Sequence, residues 1–157
     1  MIILSRKIKK SVISVLIVLY SVFILLLLQL PDDKFHIFFL DVGQGDSIFI
    51  KTPQNHQILI DGGPKNIVIE RLGEIMPFFD KSLDFLVLTH PHADHVDGLV
   101  EVLKRYKVEN VLLTGVYSEY SAYFEFLDIV YDKKINVFFA EANNDFLFSN
   151  VLIDVIY

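Results

Sequence analysis

Thr89-His90-Pro91-His92-Ala93-Asp94-His95-Val96-Asp97-Gly98 packs three histidines and two aspartates into positions 90–97. The apolar run Leu83-Asp84-Phe85-Leu86-Val87-Leu88 leads in as a strand. Val96, Leu99-Val100, Val102-Leu103 and Tyr106 lead out at helical spacing. At a strand end, alternation places His90 and His92 on one side. Asp94 and His95 fall where the chain turns into the helix. Imidazole nitrogen and carboxylate oxygen form a donor mixture suited to zinc and its first-row neighbours. Two adjacent donor pairs can serve two adjacent ions. Solvated histidines near a helix N-terminus would leave this spacing unexplained.

Working outward, Gln57–Asp61 reads as a strand that runs into Gly62-Gly63. Before it, Phe35–Val42 reads as a buried first strand and Ser47–Lys51 as a second. Gly43 and Gly45 sit between them, where the backbone must turn tightly. The three strands form a hairpin or meander. Residues 66–76 read as a helix that Asn66 caps. Beyond the histidines, Val108–Leu113 is a strand, which completes a strand–helix–strand unit. Tyr120, Tyr123-Phe124, Leu127 and Val130-Tyr131 recur at helical spacing and read as core. Ile135–Ala140, Phe146–Phe148 and Val151–Tyr157 read as strands, the last two paired around Ser149-Asn150. His36 and His56 read as isolated structural histidines, and Asp97 as a helix cap or a solvent-facing charge.

The His-x-His-x-Asp-His pattern, with Asp61-Gly62-Gly63 upstream, resembles the metallo-β-lactamase-fold hydrolases. Asp41-Val42-Gly43-Gln44-Gly45-Asp46-Ser47 and Leu59-Ile60-Asp61-Gly62-Gly63 narrow the likeness to the ComEC/Rec2 competence-protein branch, over about residues 35–140. The resemblance implies an α/β (α+β) chain, an αββα sandwich with two divalent ions at its edge, zinc or else manganese. Carried over residue by residue, His90 and His92 hold the first ion, Asp94 and His95 the second. Asp61 then orients a ligand from behind. A metal-bound hydroxide attacks phosphorus or carbonyl, and Asp94 accepts or orients its proton. Asp41, Gln44 and Asp46 form a candidate active-site loop.

One departure matters. The family completes its site with a further aspartate and histidine, yet no histidine follows His95. Four donors leave two ions short of tetrahedral shells. Val151–Tyr157 also reads as an interior strand. The expectation is the first half of the sandwich, from a longer or truncated protein.

The chain has 157 residues, net charge −6 and no cysteine, so disulfides and thiolate ligands are excluded. Residues 1–31 hold four basic side chains (Arg6, Lys7, Lys9, Lys10) and no acidic ones, which leaves residues 32–157 at −10. Such a body argues against broad non-specific binding to nucleic acid, though not against a metal-centred phosphate site. Residues 11–31 carry no charge and are long enough to cross a bilayer. Without a small-residue cleavage site near Pro31, they read as a retained anchor rather than a secretory signal. The basic cluster places residues 1–10 in the cytoplasm and residues 32–157 outside the cell membrane. Together with that anchor, the resemblance implies a single-pass, membrane-anchored phosphodiesterase or nuclease, with DNA as substrate and a missing C-terminal half or a membrane channel as partner. The alternatives are an inactive or binding module, and a lactonase or small-molecule phosphodiesterase.

Overall fold

A computed structural model describes residues 6–27, 30–142 and 145–156. The chain divides into two compact units, Met1–Pro31 and Asp32–Tyr157. The first contains α1, Arg6–Leu27, with 22 residues and a mean hydropathy of 2.5 in its most apolar window. At ~1.5 Å per residue, α1 is ~33 Å long, enough by length and composition to span a bilayer. It starts earlier than the uncharged run, so Arg6, Lys7, Lys9 and Lys10 form its first turns rather than a separate tail. Leu28 and Gln29, expected within the anchor, lie outside the described residues. The Ser14 and Ser21 hydroxyls donate back to the Lys10 and Ile17 carbonyls at 3.0 and 2.9 Å, which satisfies both hydroxyls within the uncharged stretch.

The second unit is built on a six-stranded sheet in the order β1-β2-β3-β4-β5-β6. The strands are β1 His36–Phe39, β2 Ile48–Lys51, β3 Gln57–Ile60, β4 Ser82–Leu88, β5 Lys107–Leu113 and β6 Asn136–Phe139. The first three form an antiparallel meander, and β3 to β6 run parallel. Three helices make the parallel crossovers: α2 Ile67–Ile75, α3 Ala93–Arg105 and α4 Ser121–Asp132. Because each crossover steps the same way across the sheet, right-handed connections put all three helices on one face. There Leu59, Leu86 and Val111 pack with Leu72, Val96, Leu99, Leu103 and Phe126, all but inaccessible to solvent.

The opposite face is also apolar, as parallel strands covered on both sides require. Ile58, Phe85 and Leu112 form a second small core there. A separate antiparallel hairpin, β7 Phe146–Phe148 and β8 Val151–Ile153, packs on it. The Phe85 ring lies 4.9 Å from Phe146 and 5.5 Å from Phe148.

Several sequence expectations are corrected. The first strand is not buried: it is the sheet edge, four residues long, with Ile37 and Phe39 exposed because nothing among the described residues covers them. The final run is a three-residue hairpin strand rather than an interior one, and Tyr157 lies outside the described residues. Asn66 occupies the N-cap of α2 without a side-chain cap bond, although its carbonyl accepts from the Ile69 N–H. In α4 the buried positions are Tyr123, Phe126 and Val130, while Tyr120, Phe124 and Tyr131 are exposed. Tyr123, Leu127 and Val130 of the expected stripe do meet the core, the exposed aromatics do not, and Phe126, absent from that stripe, is buried at its centre.

Candidate metal centre

The backbone of the site is set before its side chains. β3 ends at Ile60, and Asp61 follows in the left-handed region at φ 55°. This turns the chain so that Gly62 N–H donates to the His95 carbonyl at 2.9 Å and Gly98 N–H donates to the Gly63 carbonyl at 3.0 Å. The two segments touch backbone to backbone. A Cβ on Gly98 would lie 1.9 Å from the Gly62 oxygen. The Asp41–Ser47 loop is seated beside them, its Asp46 carbonyl accepting from Gly63 N–H at 3.0 Å. Gly45, at φ +76°, presses so close that a Cβ there would sit 2.0 Å from the Asp94 carbonyl oxygen. Only glycine combines that approach with that backbone conformation.

Asp61 organises the histidines. Its side chain is buried, with Oδ1 accepting the Thr89 N–H at 2.9 Å. Oδ2 accepts the Thr89 hydroxyl at 2.6 Å and His95 Nδ1 at 2.9 Å. A carboxylate only accepts, so His95 carries its proton on Nδ1 and leaves Nε2 as a free lone pair. The Thr89 proton is likewise committed to Asp61. The Thr89 oxygen, 3.0 Å from His90 Nδ1, therefore accepts from that nitrogen, and His90 Nε2 is free as well. One aspartate thus sets both imidazole tautomers, the second directly and the first through Thr89.

The three rings are neighbours. His90 lies 3.8 Å from His95 and 4.6 Å from His92, between ring centroids. Asp94, in the first turn of α3, brings Oδ1 to 3.8 Å from His95 Nε2. His92 is the N-cap residue of α3 and is exposed. Among the described residues, no three His, Asp or Glu side chains close around one point at metal-holding geometry. The donor chemistry nonetheless fits a divalent transition metal. Two lone pairs are freed by hydrogen bonds from behind, the arrangement metal-ligating histidines adopt. Three imidazoles and one carboxylate remain too few donors for two closed shells.

Asp41, Gln44 and Asp46 are exposed on their loop. Asp41 Oδ1 accepts from Gly43 N–H at 3.2 Å, and its carbonyl accepts from Arg71 Nε at 2.9 Å, so this residue shapes the turn. Asp97 is neither cap nor free surface charge. Its Oδ1 is enclosed and has no hydrogen-bond partner. The Tyr120 hydroxyl hydrogen-bonds to Asp97, which pushes the phenol above its ordinary value because losing that proton would face two negative charges. Burial adds to the shift. His36 and His56 are not isolated: His36 Nε2 pairs with Asp32 at 2.7 Å, and His56 sits in a hydrogen-bonded chain described below. Sequence reasoning missed Thr89, whose only signal is its place directly before His90.

Residues 40–151 match the profile of the metallo-beta-lactamase superfamily. The chain belongs to that superfamily. Its members generally bind divalent metal ions, usually zinc. ComE operon protein 3 of Bacillus subtilis is 36% identical over 91 residues, which cover 47% of this chain and 12% of that protein. Hydroxyacylglutathione hydrolase of Aeromonas salmonicida is 36% identical over 59 residues, 38% of this chain and 22% of that protein. The crystal structure of the metallo-beta-lactamase fold protein YhfI from Bacillus subtilis matches with a TM-score of 0.50 at 12% identity. It covers 78% of this chain and 49% of that one. The chain therefore spans less than a quarter of each of these two curated relatives and about half of the solved structure. The solved likeness bears on fold alone.

Proposed function

We propose that this chain carries part of the site of a membrane-anchored, metal-dependent phosphodiesterase or nuclease of the ComEC/Rec2 type. The carrying observation is the Asp61–Thr89–His90 and Asp61–His95 hydrogen-bond chain, which readies two imidazoles as Nε2 donors. His90 and His92 would hold one divalent ion, and Asp94 and His95 would hold or face another, zinc or manganese. Bound there, such ions polarise a phosphoryl oxygen and acidify water. Asp94, half-buried beside His95 Nε2, is placed to take or orient a proton. The close approach of Gly45 to Asp94 supports a role for the loop of Asp41, Gln44 and Asp46 at the rim of this site.

The likeness to ComE operon protein 3 supports DNA as substrate, and α1 supports attachment to the cytoplasmic membrane with its basic start inside. The missing donors would come from a C-terminal half, and a membrane channel is a further proposed partner. A second reading, a non-nuclease hydrolase such as a lactonase, draws support from the likeness to hydroxyacylglutathione hydrolase.

The test is zinc and manganese titration of the detergent-solubilised chain beside the His92→Ala/His95→Ala double variant. Affinity should fall at least about tenfold, in line with the loss of metal-site groups. Unchanged affinity would refute the reading. Hydrolysis is then compared on a single-stranded oligonucleotide, a phosphodiester dye and a lactone. Preference for the lactone would transfer the site to the second reading.

A further inference from the structure

The N-terminal end of β4 holds a hydrogen-bonded chain that the metal centre does not use. Asp84 Oδ1 lies 3.1 Å from His56 Nδ1, and His56 Nε2 lies 3.3 Å from the Ser149 hydroxyl. Three separate segments supply the three groups: the turn before β3, the strand β4, and the apex of the β7–β8 hairpin. We propose that Ser149, His56 and Asp84 form a second, metal-independent nucleophilic centre that takes acyl groups from carboxylic esters.

Proton bookkeeping supports this order. Asp84 only accepts, so His56 carries its proton on Nδ1 and presents the Nε2 lone pair to Ser149. Asp84 is fixed in turn. Its Oδ2 accepts the Gln57 N–H at 2.7 Å, and its carbonyl accepts from Asn110 Nδ2 at 2.8 Å. The His56 ring is also held from the side by Phe148, 5.5 Å away. The imidazole therefore has one orientation, with a base aimed at a hydroxyl. Ser149 stands at the exposed hairpin apex with φ 54°, a left-handed conformation that costs a serine energy. The His56 and Asp84 side chains are 31% and 32% exposed, open enough for a small ester to arrive.

In the step, Ser149 Oγ bonds to the ester carbonyl carbon while its proton passes to His56 Nε2. The carbon–alkoxide bond breaks, and the alkoxide leaves with that proton. Water then attacks the acyl-serine and gives a proton to His56. That proton returns to Ser149 Oγ as the carboxylic acid departs. No oxidant, reductant or metal enters. Asp84 lies on β4 and Thr89 directly follows its end, five residues on, so ~17 Å at ~3.3 Å per residue separates the two centres.

The test is covalent labelling of the full chain with a fluorophosphonate, read by peptide mass spectrometry, and 4-nitrophenyl acetate turnover with a chelator present. A single adduct on Ser149, indifferent to chelator and absent in Ser149→Ala, is expected. His56→Ala should slow labelling about 100-fold, the lower range of general-base catalysis. Asp84 is a positioning residue: Asp84→Asn keeps an oxygen for Gln57 N–H, so labelling should slow while the melting temperature holds, and Asp84→Glu should restore part of the rate. No adduct on Ser149, or equal rates in His56→Ala and Asp84→Asn, would overturn the proposal.

Discussion

β4 meets an aspartate–histidine hydrogen bond at each end, and the two ends are built differently. Beyond its C-terminal end, His95 and Asp61 lie 2.9 Å apart with side chains 9% and 3% exposed. At its N-terminal end, His56 and Asp84 lie 3.1 Å apart and are about a third exposed. The first pair is locked by backbone: α3 rests on Gly62 through Gly98, and Asp61 also receives two bonds from Thr89. The second is tied by side chains from three segments, and solvent reaches them. Burial makes the first pair rigid and intolerant of loss. Exposure leaves the second accessible and replaceable. Ligands that must meet a metal need the first kind of setting; a nucleophile that must meet a reagent can use the second.

The largest expected effect tests the backbone lock. Gly98→Ala should destabilise the domain by more than ~3 kcal/mol or prevent folding, since its Cβ would meet the Gly62 carbonyl at 1.9 Å and neither backbone can yield cheaply. Gly73→Ala is the control. A Cβ at this α2 position meets nothing within 4 Å, so it should stabilise by ~0.5–1 kcal/mol. Urea unfolding reads both, and a Gly98→Ala protein as stable as the native chain would remove the lock from the comparison. Next comes Asp61→Ala against Asp84→Ala. The first strands three donors in a buried site and should cost ~3 kcal/mol. The second lets water reach its former partners and should cost ~1 kcal/mol. Equal losses would erase the contrast between the two ends.

The legibility of the chain follows the same division. The histidine motif, the strand before it and the helix after it were readable because local periodicity and ligand chemistry lie within one stretch, residues 83–106. Asp61 was readable as the end of a strand followed by two glycines. The Asp84–His56–Ser149 chain was not, because its members are 28 and 93 residues apart and none has an unusual neighbourhood. The exposure of β1 was hidden too. Ile37 and Phe39 alternate with His36 and Phe38 as in any strand, and only the sheet order places that strand at an edge. In α4 the spacing found Tyr123, Leu127 and Val130 on the core face, but aromatic composition also drew in the exposed Tyr120, Phe124 and Tyr131 and passed over Phe126.

The smallest effect lies in a solvent-facing cluster, on the surface joining α3 to α4. Lys104 Nζ sits 3.0 Å from Glu101 and 2.7 Å from Glu125, and Arg105 also pairs with Glu101. Hydrogen bonds from Lys104 and Arg105 lower the Glu101 carboxyl, while hydrogen bonds to Glu125 and Glu101 raise Lys104. A lowered carboxyl adds stability above its unfolded value and loses it as pH falls through the folded one. A raised lysine adds stability below its unfolded value and loses it as pH rises through the folded one. The clasp therefore acts between the ordinary carboxylate and lysine ranges. Lys104→Ala should cost less than ~1 kcal/mol at neutral pH, because the Lys104 side chain is 43% exposed and its pairs are screened by solvent. The difference from the native chain should diminish as pH falls below the ordinary carboxylate range and shrink in 1 M salt, both read by thermal melts. A larger loss that does not diminish with falling pH would mean that Lys104 acts through its packing against α4 and not through charge.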